Sequence, residues 1–393
     1  MDSKKFLLIS LLVSGVLFLF SIYTYTQIDL NLTLSSNIYY QDIQKTLIYL
    51  GYFNRSLSTL IFLIFIIALF VIYFILIRLV NQEELTRNQI ICLVMITVCF
   101  LIFAYPAFSH DIFNYMFDAR IITKYHLNPY LYKALDFPDD LWIRFMHWTH
   151  RTYPYGPVWL IITLPLSILG SGKFVLTLLL YKLAFAFFHL GNIFIIYKLL
   201  SRLKAKNTFS GVVFYAFNPL VIIESLVSPH NEVMMLFFLL LSLYLFYTQK
   251  NYIKGAICLF LSIGIKFLTI ILMPYFIWKK FILKEKSANF NLMYIYLLLA
   301  LVIFFETLYR EPYPWYFIIL IGTGSLILQM KYVYGISTVI SLAAILRYAP
   351  YLYTGSYTDW VVLMQNILFI TGLTFFLCFV ILDIIRLKIK KSL

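Results

Sequence analysis

Residues 57–80 read LSTLIFLIFIIALFVIYFILIRLV, with Arg78 as the single charge. At 1.5 Å per residue, a helix of this length crosses the roughly 30 Å hydrocarbon core of a bilayer. An earlier apolar run, Phe6–Tyr25, follows Lys4 and Lys5. It has the length of a signal sequence, but no small-residue cleavage site follows its core, so it reads as a retained helix. Further apolar segments recur at 90–106, 173–200, 209–228, 232–248, 291–309, 315–330, 333–350 and 360–385. The pattern predicts an all-α polytopic membrane protein with about 11–13 membrane helices.

Composition excludes the alternatives. Of 393 residues, 62% are hydrophobic and 12% charged, against about 45–50% and about 25% in soluble domains. Mean hydropathy is +0.88. Too few polar side chains exist to cover a soluble surface, and disorder or a disulfide scaffold is excluded with them. The net charge of +14 does not point to nucleic acid. Its lysines and arginines cluster between apolar segments, as they do in loops beside anionic lipid. Cys92, Cys99, Cys258 and Cys378 lie inside apolar runs, with no metal-binding spacing.

Residues 1–393 therefore form one integral membrane domain: helices over 1–106, an outer loop over 107–155, and the remaining helices over 156–393. The positive-inside rule orients it. With the N-terminus cytoplasmic, Arg78–Arg87, then Arg202, Lys204 and Lys206, Lys250, Lys279–Lys280, Lys331 and Arg386–Lys391 are cytoplasmic too. The rule needs one net crossing between 156 and 200, so 156–170 reads as a re-entrant or interfacial piece. The stretch between Lys250 and Lys279 is too short for two full spans. It is either a broken hairpin carrying Lys266 into the interior or a single span. With the hairpin, Asp111, His230 and Arg310 face the same extracytoplasmic side.

Four constellations carry chemistry. Ser109-His110-Asp111-Ile112-Phe113-Asn114-Tyr115, with Asp118 and Arg120, follows an apolar run. A partly desolvated carboxylate at a helix end suits a general base; its other readings are a solvated loop acid and an ion-pair partner for Arg120. Glu224 and Ser228-Pro229-His230-Asn231-Glu232 form the second. An intramembrane acid beside His and Asn suits carbohydrate binding, and Pro229 with Asn231 equally suits a helix boundary. Lys266 interrupts an apolar run, where it either snorkels or meets an anion such as phosphate. In Tyr309-Arg310-Glu311-Pro312-Tyr313-Pro314-Trp315-Tyr316, Arg310 suits a phosphate or a local pair with Glu311, and the aromatics suit a sugar face or an interfacial belt. No nucleotide-binding, zinc or nucleophile-elbow motif appears, so energy for a reaction must come from an activated substrate.

These elements, in order, resemble the polyprenyl-phosphate-mannose-dependent mannosyltransferases of the glycosyltransferase-C superfamily. The likeness rests on Asp111-x-x-x-Tyr115, His126-Leu127-Asn128-Pro129-Tyr130, Tyr153-Pro154-Tyr155-Gly156-Pro157, Asn218-Pro219-Leu220 and His230-Asn231-Glu232, with Lys266 a loose match to a Gly-x-x-x-Lys element. It covers about 105–280. Glu232 stands where the family has Asp, and His126 where it tends to have Gly.

The resemblance implies a glycosyltransferase-C-like helical bundle whose 107–155 loop is catalytic. It implies inverting transfer of a hexose, mannose above others, from a polyprenyl-phosphate donor to a glycan or glycolipid hydroxyl outside the cell membrane. Asp111 would be the base. Lys266 and Arg310, on charge and side, would hold the donor phosphate. His110, Tyr115, Asp118, Arg120, Glu224, His230, Asn231 and Glu232 would line the sugar and acceptor. The scheme needs no cofactor and no metal, although Asp111, Asp118 and Glu232 remain available to a divalent ion. A lipid-linked glycan ligase or polymerase, and a lipid-linked sugar transporter, are the competing readings.

Overall fold

The computed structural model describes residues 1–205, 208–281 and 288–392. Lys206, and the side chains of Lys279, Lys280 and Lys391, lie outside the described residues. All regular structure there is helical, the only way an apolar chain satisfies its own backbone in lipid short of a closed barrel.

In chain order the helices are α1 (Ser3–Thr24), α2 (Ile38–Ile48), α3 (Arg55–Asn81), α4 (Arg87–Leu101), α5 (Asp111–Thr123), α6 (Pro157–Leu169), α7 (Phe174–Arg202), α8 (Thr208–Ala216) and α9 (Pro219–Ile222). They continue as α10 (Glu232–Tyr247), α11 (Tyr252–Ile263), α12 (Leu272–Phe281), α13 (Ala288–Tyr309), α14 (Ile318–Gly324), α15 (Lys331–Leu346), α16 (Tyr348–Thr354) and α17 (Asp359–Ser392). Local chemistry sets several boundaries. Thr86 and Gln89 form a capping box before α4. Pro157 opens α6, where its missing N–H costs nothing.

Among the described residues, six helices are long and apolar enough to cross a membrane, or seven if α8 and the turn through Val227, bent by 51°, count as one span. Six more apolar helices are shorter, with 10–17 residues. The expected number of segments is therefore present, but many are not full spans. α10 stops short because it begins within the protein, after the buried polar run Ser228–Glu232. Irregular backbone is tolerated at membrane depth only when protein encloses it, and residues 228–232 are fully enclosed.

Contacts define two ends of the bundle. At one end Lys5 meets Glu84 at 2.6 Å, Ser210 reaches Asn81 at 2.6 Å and Lys331 meets Asp383 at 2.6 Å. The opposite end gathers Asp111, His230, Lys266, Arg310 and Arg347. α6 does not travel between them. Gly156, just before it, bonds to Ile265 at the polar-site end, and Phe174, just after it, stacks there on Phe145. It is a short apolar helix and not a full crossing, in keeping with the charge pattern.

The two readings of 252–278 also resolve. Ser262 donates to the Met235 carbonyl and Ser242 to that of Gly255, so α11 runs antiparallel to α10. Phe276 then stacks on Phe246, 4.5 Å between centroids, back at the far end. The segment is a broken hairpin, and Lys266 sits at its turn. That turn meets the start of α6 backbone to backbone: Gly156 N–H donates to Ile265 and Val158 N–H to Gly264. A Cβ on Gly156 would overlap the Gly264 carbonyl, so only glycine allows this approach.

Candidate active site

Asp111 occupies the first turn of α5, where the helix dipole favours a negative charge. It is 5% exposed. Tyr155 Oη lies 3.4 Å from its Oδ2, and Oδ1 has no hydrogen-bond partner. A buried carboxylate oxygen left open is costly unless something else occupies it. Asp111 lines a cavity of about 940 Å³. Arg151, Lys266 and Arg310 supply cationic wall, and Tyr155, Trp148 and Trp315 supply aromatic surface. The same cavity reaches Phe304 and Leu308 of α13 and Phe369, Ile370 and Leu373 of α17. Phe304, Leu308 and Ile370 are exposed on the apolar flank of the bundle. The space thus joins a polar pocket to the side of the protein that faces hydrocarbon.

Behind Asp111 is a fully buried polar core. His230 Nδ1 lies 2.9 Å from Glu224, its Nε2 lies 3.0 Å from Ser109 Oγ, and Nε2 is 4.0 Å from Asp111. Tyr348 donates to Glu224 at 2.8 Å. Trp315 stacks on the His230 ring at 4.1 Å and on Tyr313 at 4.6 Å, so it belongs to the site and not to an interfacial belt. Lys266 is ion-paired with Glu232 and lies over the Tyr316 ring. Asn231 stands at the N-cap position of α10, but its side chain makes no capping bond. Both its amide atoms are buried and unpartnered, so the helix-boundary reading does not account for it.

Four residues grouped with Asp111 by sequence do not join it. Arg120 is no partner of Asp111: it lies one α5 length away, pairs with Asp140 at 2.8 Å and stacks over Trp142. Lys124 and Tyr125 complete that cluster at 2.8 and 2.7 Å. Tyr115 packs edge-on against Tyr155 and Trp159 in the core. Asp118 is buried and off the cavity, and burial raises its pKa to about 8 against the opposing charge of Arg151. His110 faces away as well, with its ring 3.9 Å from that of His147. Arg310 pairs with Glu306 at 3.3 Å, not with its neighbour Glu311.

Sequence reading passes over two buried cations. Arg347 is 2% exposed and pairs with Glu311 at 2.7 Å and Asn366 at 2.6 Å. Lys182, inside α7, donates to the carbonyls of Leu226 and Val227. It satisfies the end of the π-turn Ile223–Val227 and so fixes the backbone that presents His230. A lone cation within an apolar run was the signal, as it was at Lys266.

No curated protein and no solved structure matches the chain. Residues 33–281 match a family described as Alpha-(1->6)-mannopyranosyltransferase, N-terminal domain. The match contains every motif quoted above, from Asp111 to Lys266. With well over half its length matched, the chain belongs to this family of membrane mannosyltransferases.

Proposed function

We propose that the protein transfers mannose from a polyprenyl-phosphate donor to a glycan or glycolipid hydroxyl, with inversion, at the extracytoplasmic face. The observation that carries this reading is the cavity itself. One volume contains an open carboxylate, three cations and an apolar exit between α13 and α17. A nucleotide sugar would have no use for that exit, whereas a donor with a hydrocarbon tail needs it. Arg78, Arg87, Arg202 and Lys331 lie at the opposite end, which supports an extracytoplasmic site.

Asp111 takes the proton of the acceptor hydroxyl. The acceptor oxygen attacks the anomeric carbon as the bond from that carbon to the phosphate oxygen breaks. The electron pair leaves with the polyprenyl phosphate. Charge grows on the departing phosphate, and Lys266, Arg310 and Arg151 stabilise it. A phosphodiester leaves as a stable anion, so one carboxylate suffices where inverting glycosidases use two. His230, held by Glu224, fixes the wall beside Asp111. Neither a cofactor nor a metal takes part in these steps.

The test is donor choice. Purified protein in lipid is given mannose on polyprenyl phosphate or on a nucleotide, with a mixed glycan and glycolipid acceptor pool. Release of polyprenyl phosphate coupled to mannosyl product is expected, with an α-anomeric signal from a β-linked donor. Equal use of the nucleotide sugar, or retention of configuration, would overturn the reading. Translocation of the lipid donor without product would favour a transporter.

A further inference from the structure

The geometry points to a divalent metal site of the Zn²⁺ type, formed by Asp29, His110 and His147, next to the mannosyl-transfer cavity but outside it. The three side chains come from separate segments: the stretch after α1, the residue before α5, and the chain leading to α6. One ligand atom from each lies within 4.8 Å of the others. Among the described residues this is the one such group of three or more.

The donor chemistry fits. Two imidazoles and one carboxylate, with a fourth position for water, are a common set for zinc, whose ligands sit at about 2.0–2.2 Å. A tetrahedral site brings neighbouring ligand atoms to a little over 3 Å, so binding would draw the three together from within 4.8 Å. His110 is 6% exposed and its Nδ1 is buried without a partner. The His110 and His147 rings lie side by side, their centroids 3.9 Å apart. Tyr52 donates to Asp29 Oδ1 at 2.7 Å, the outer contact that orients a ligating carboxylate. Arg55, which borders the same pocket, is engaged over the Tyr52 ring at 4.8 Å.

An ion here ties the first outer segment to the N-terminus of α5. His110 directly precedes Asp111, so the ion would be a positioning element for the base and not a participant in transfer.

The experiment uses the untagged full chain in lipid nanodiscs, stripped with chelator and titrated with Zn²⁺. Bound metal is measured by mass spectrometry and unfolding temperature by fluorescence. About one Zn²⁺ per chain and a rise in unfolding temperature are expected. His147→Ala should weaken binding about tenfold or more and abolish the thermal shift. Asp29→Asn should weaken binding less, because its amide oxygen still ligates. His150→Ala, an exposed histidine outside the group, should bind as wild type does. Absence of stoichiometric binding to wild type, or equal binding by His147→Ala, overturns the site. Both readouts are independent of transferase activity, so their failure would leave the proposed reaction standing.

Discussion

The two ends of α5 hold acidic clusters of similar composition and opposite character. At its C-terminal end, Asp140 accepts from Arg120, Lys124 and Tyr125, and its second oxygen takes the Trp142 N–H. Both oxygens have partners, and the cluster fastens the outer segment to the helix. At the N-terminal end, Asp111 has one long contact from Tyr155 and an oxygen with no partner. The saturated acid is a fastening, and the open one faces the cavity. Charge and burial alone do not separate them, since both are buried. Satisfaction of hydrogen bonds does.

The sharpest way to break this comparison is to exchange the two acids for amides. Asp111→Asn keeps the shape and removes the proton acceptor. Its turnover should fall by about 10²–10⁴-fold with unfolding temperature unchanged. Asp140→Asn should keep turnover per folded molecule and lose stability.

The cation across the cavity comes next. Lys266→Met leaves Glu232 buried without its partner, which should cost about 3 kcal/mol of stability. Adding Glu232→Gln should restore most of the stability, measured by denaturant unfolding in detergent. Transfer should stay low because the phosphate still lacks its ammonium. Recovery of transfer in the double variant would make Lys266 a structural counter-ion only.

A smaller effect separates the clusters by pH. Burial raises the Asp140 carboxyl, but its bonds from Lys124, Arg120 and Tyr125 outweigh that and hold it well below the usual range. A depressed acid stabilises the fold above its unfolded value and loses that contribution as pH falls. Asp118 behaves oppositely. Its folded value of about 8 lies above the ordinary 3.8, so the folded state binds its proton more tightly. Stability should fall as pH rises through that window. Asp118→Asn should therefore gain unfolding temperature over wild type near pH 8 and gain little near pH 4. Asp140→Asn should lose most at neutral pH and least in acid. Parallel thermal scans of the three proteins check both signs.

Much of this architecture was legible because the membrane imposes it. Apolar length fixed α1, α3, α7, α13 and α17, and the alternation of basic loops anticipated that 156–170 does not cross. The broken hairpin at Lys266 was one of two open readings, since a short apolar run with a central lysine fits both. Grouping Asp111, Glu224, His230, Glu232 and Lys266 at one end was also legible, each being a polar residue that hydrocarbon would exclude. Arg120 was misplaced because Asp140 lies twenty residues on, in a stretch without periodicity. Arg347 and Asp29 were passed over for a related reason: their partners, Glu311 and Tyr52, come from distant helix ends that only tertiary packing brings together.

The central claim is that the open carboxylate of α5 is the base and the saturated one a fastening. Single-turnover mannosyl transfer from polyprenyl-phosphate mannose, by Asp111→Asn and Asp140→Asn reconstituted in the same lipid and normalised to folded protein, tests it directly. Transfer lost in Asp111→Asn and kept in Asp140→Asn is the predicted result. Transfer kept in Asp111→Asn, whatever Asp140→Asn does, would contradict it.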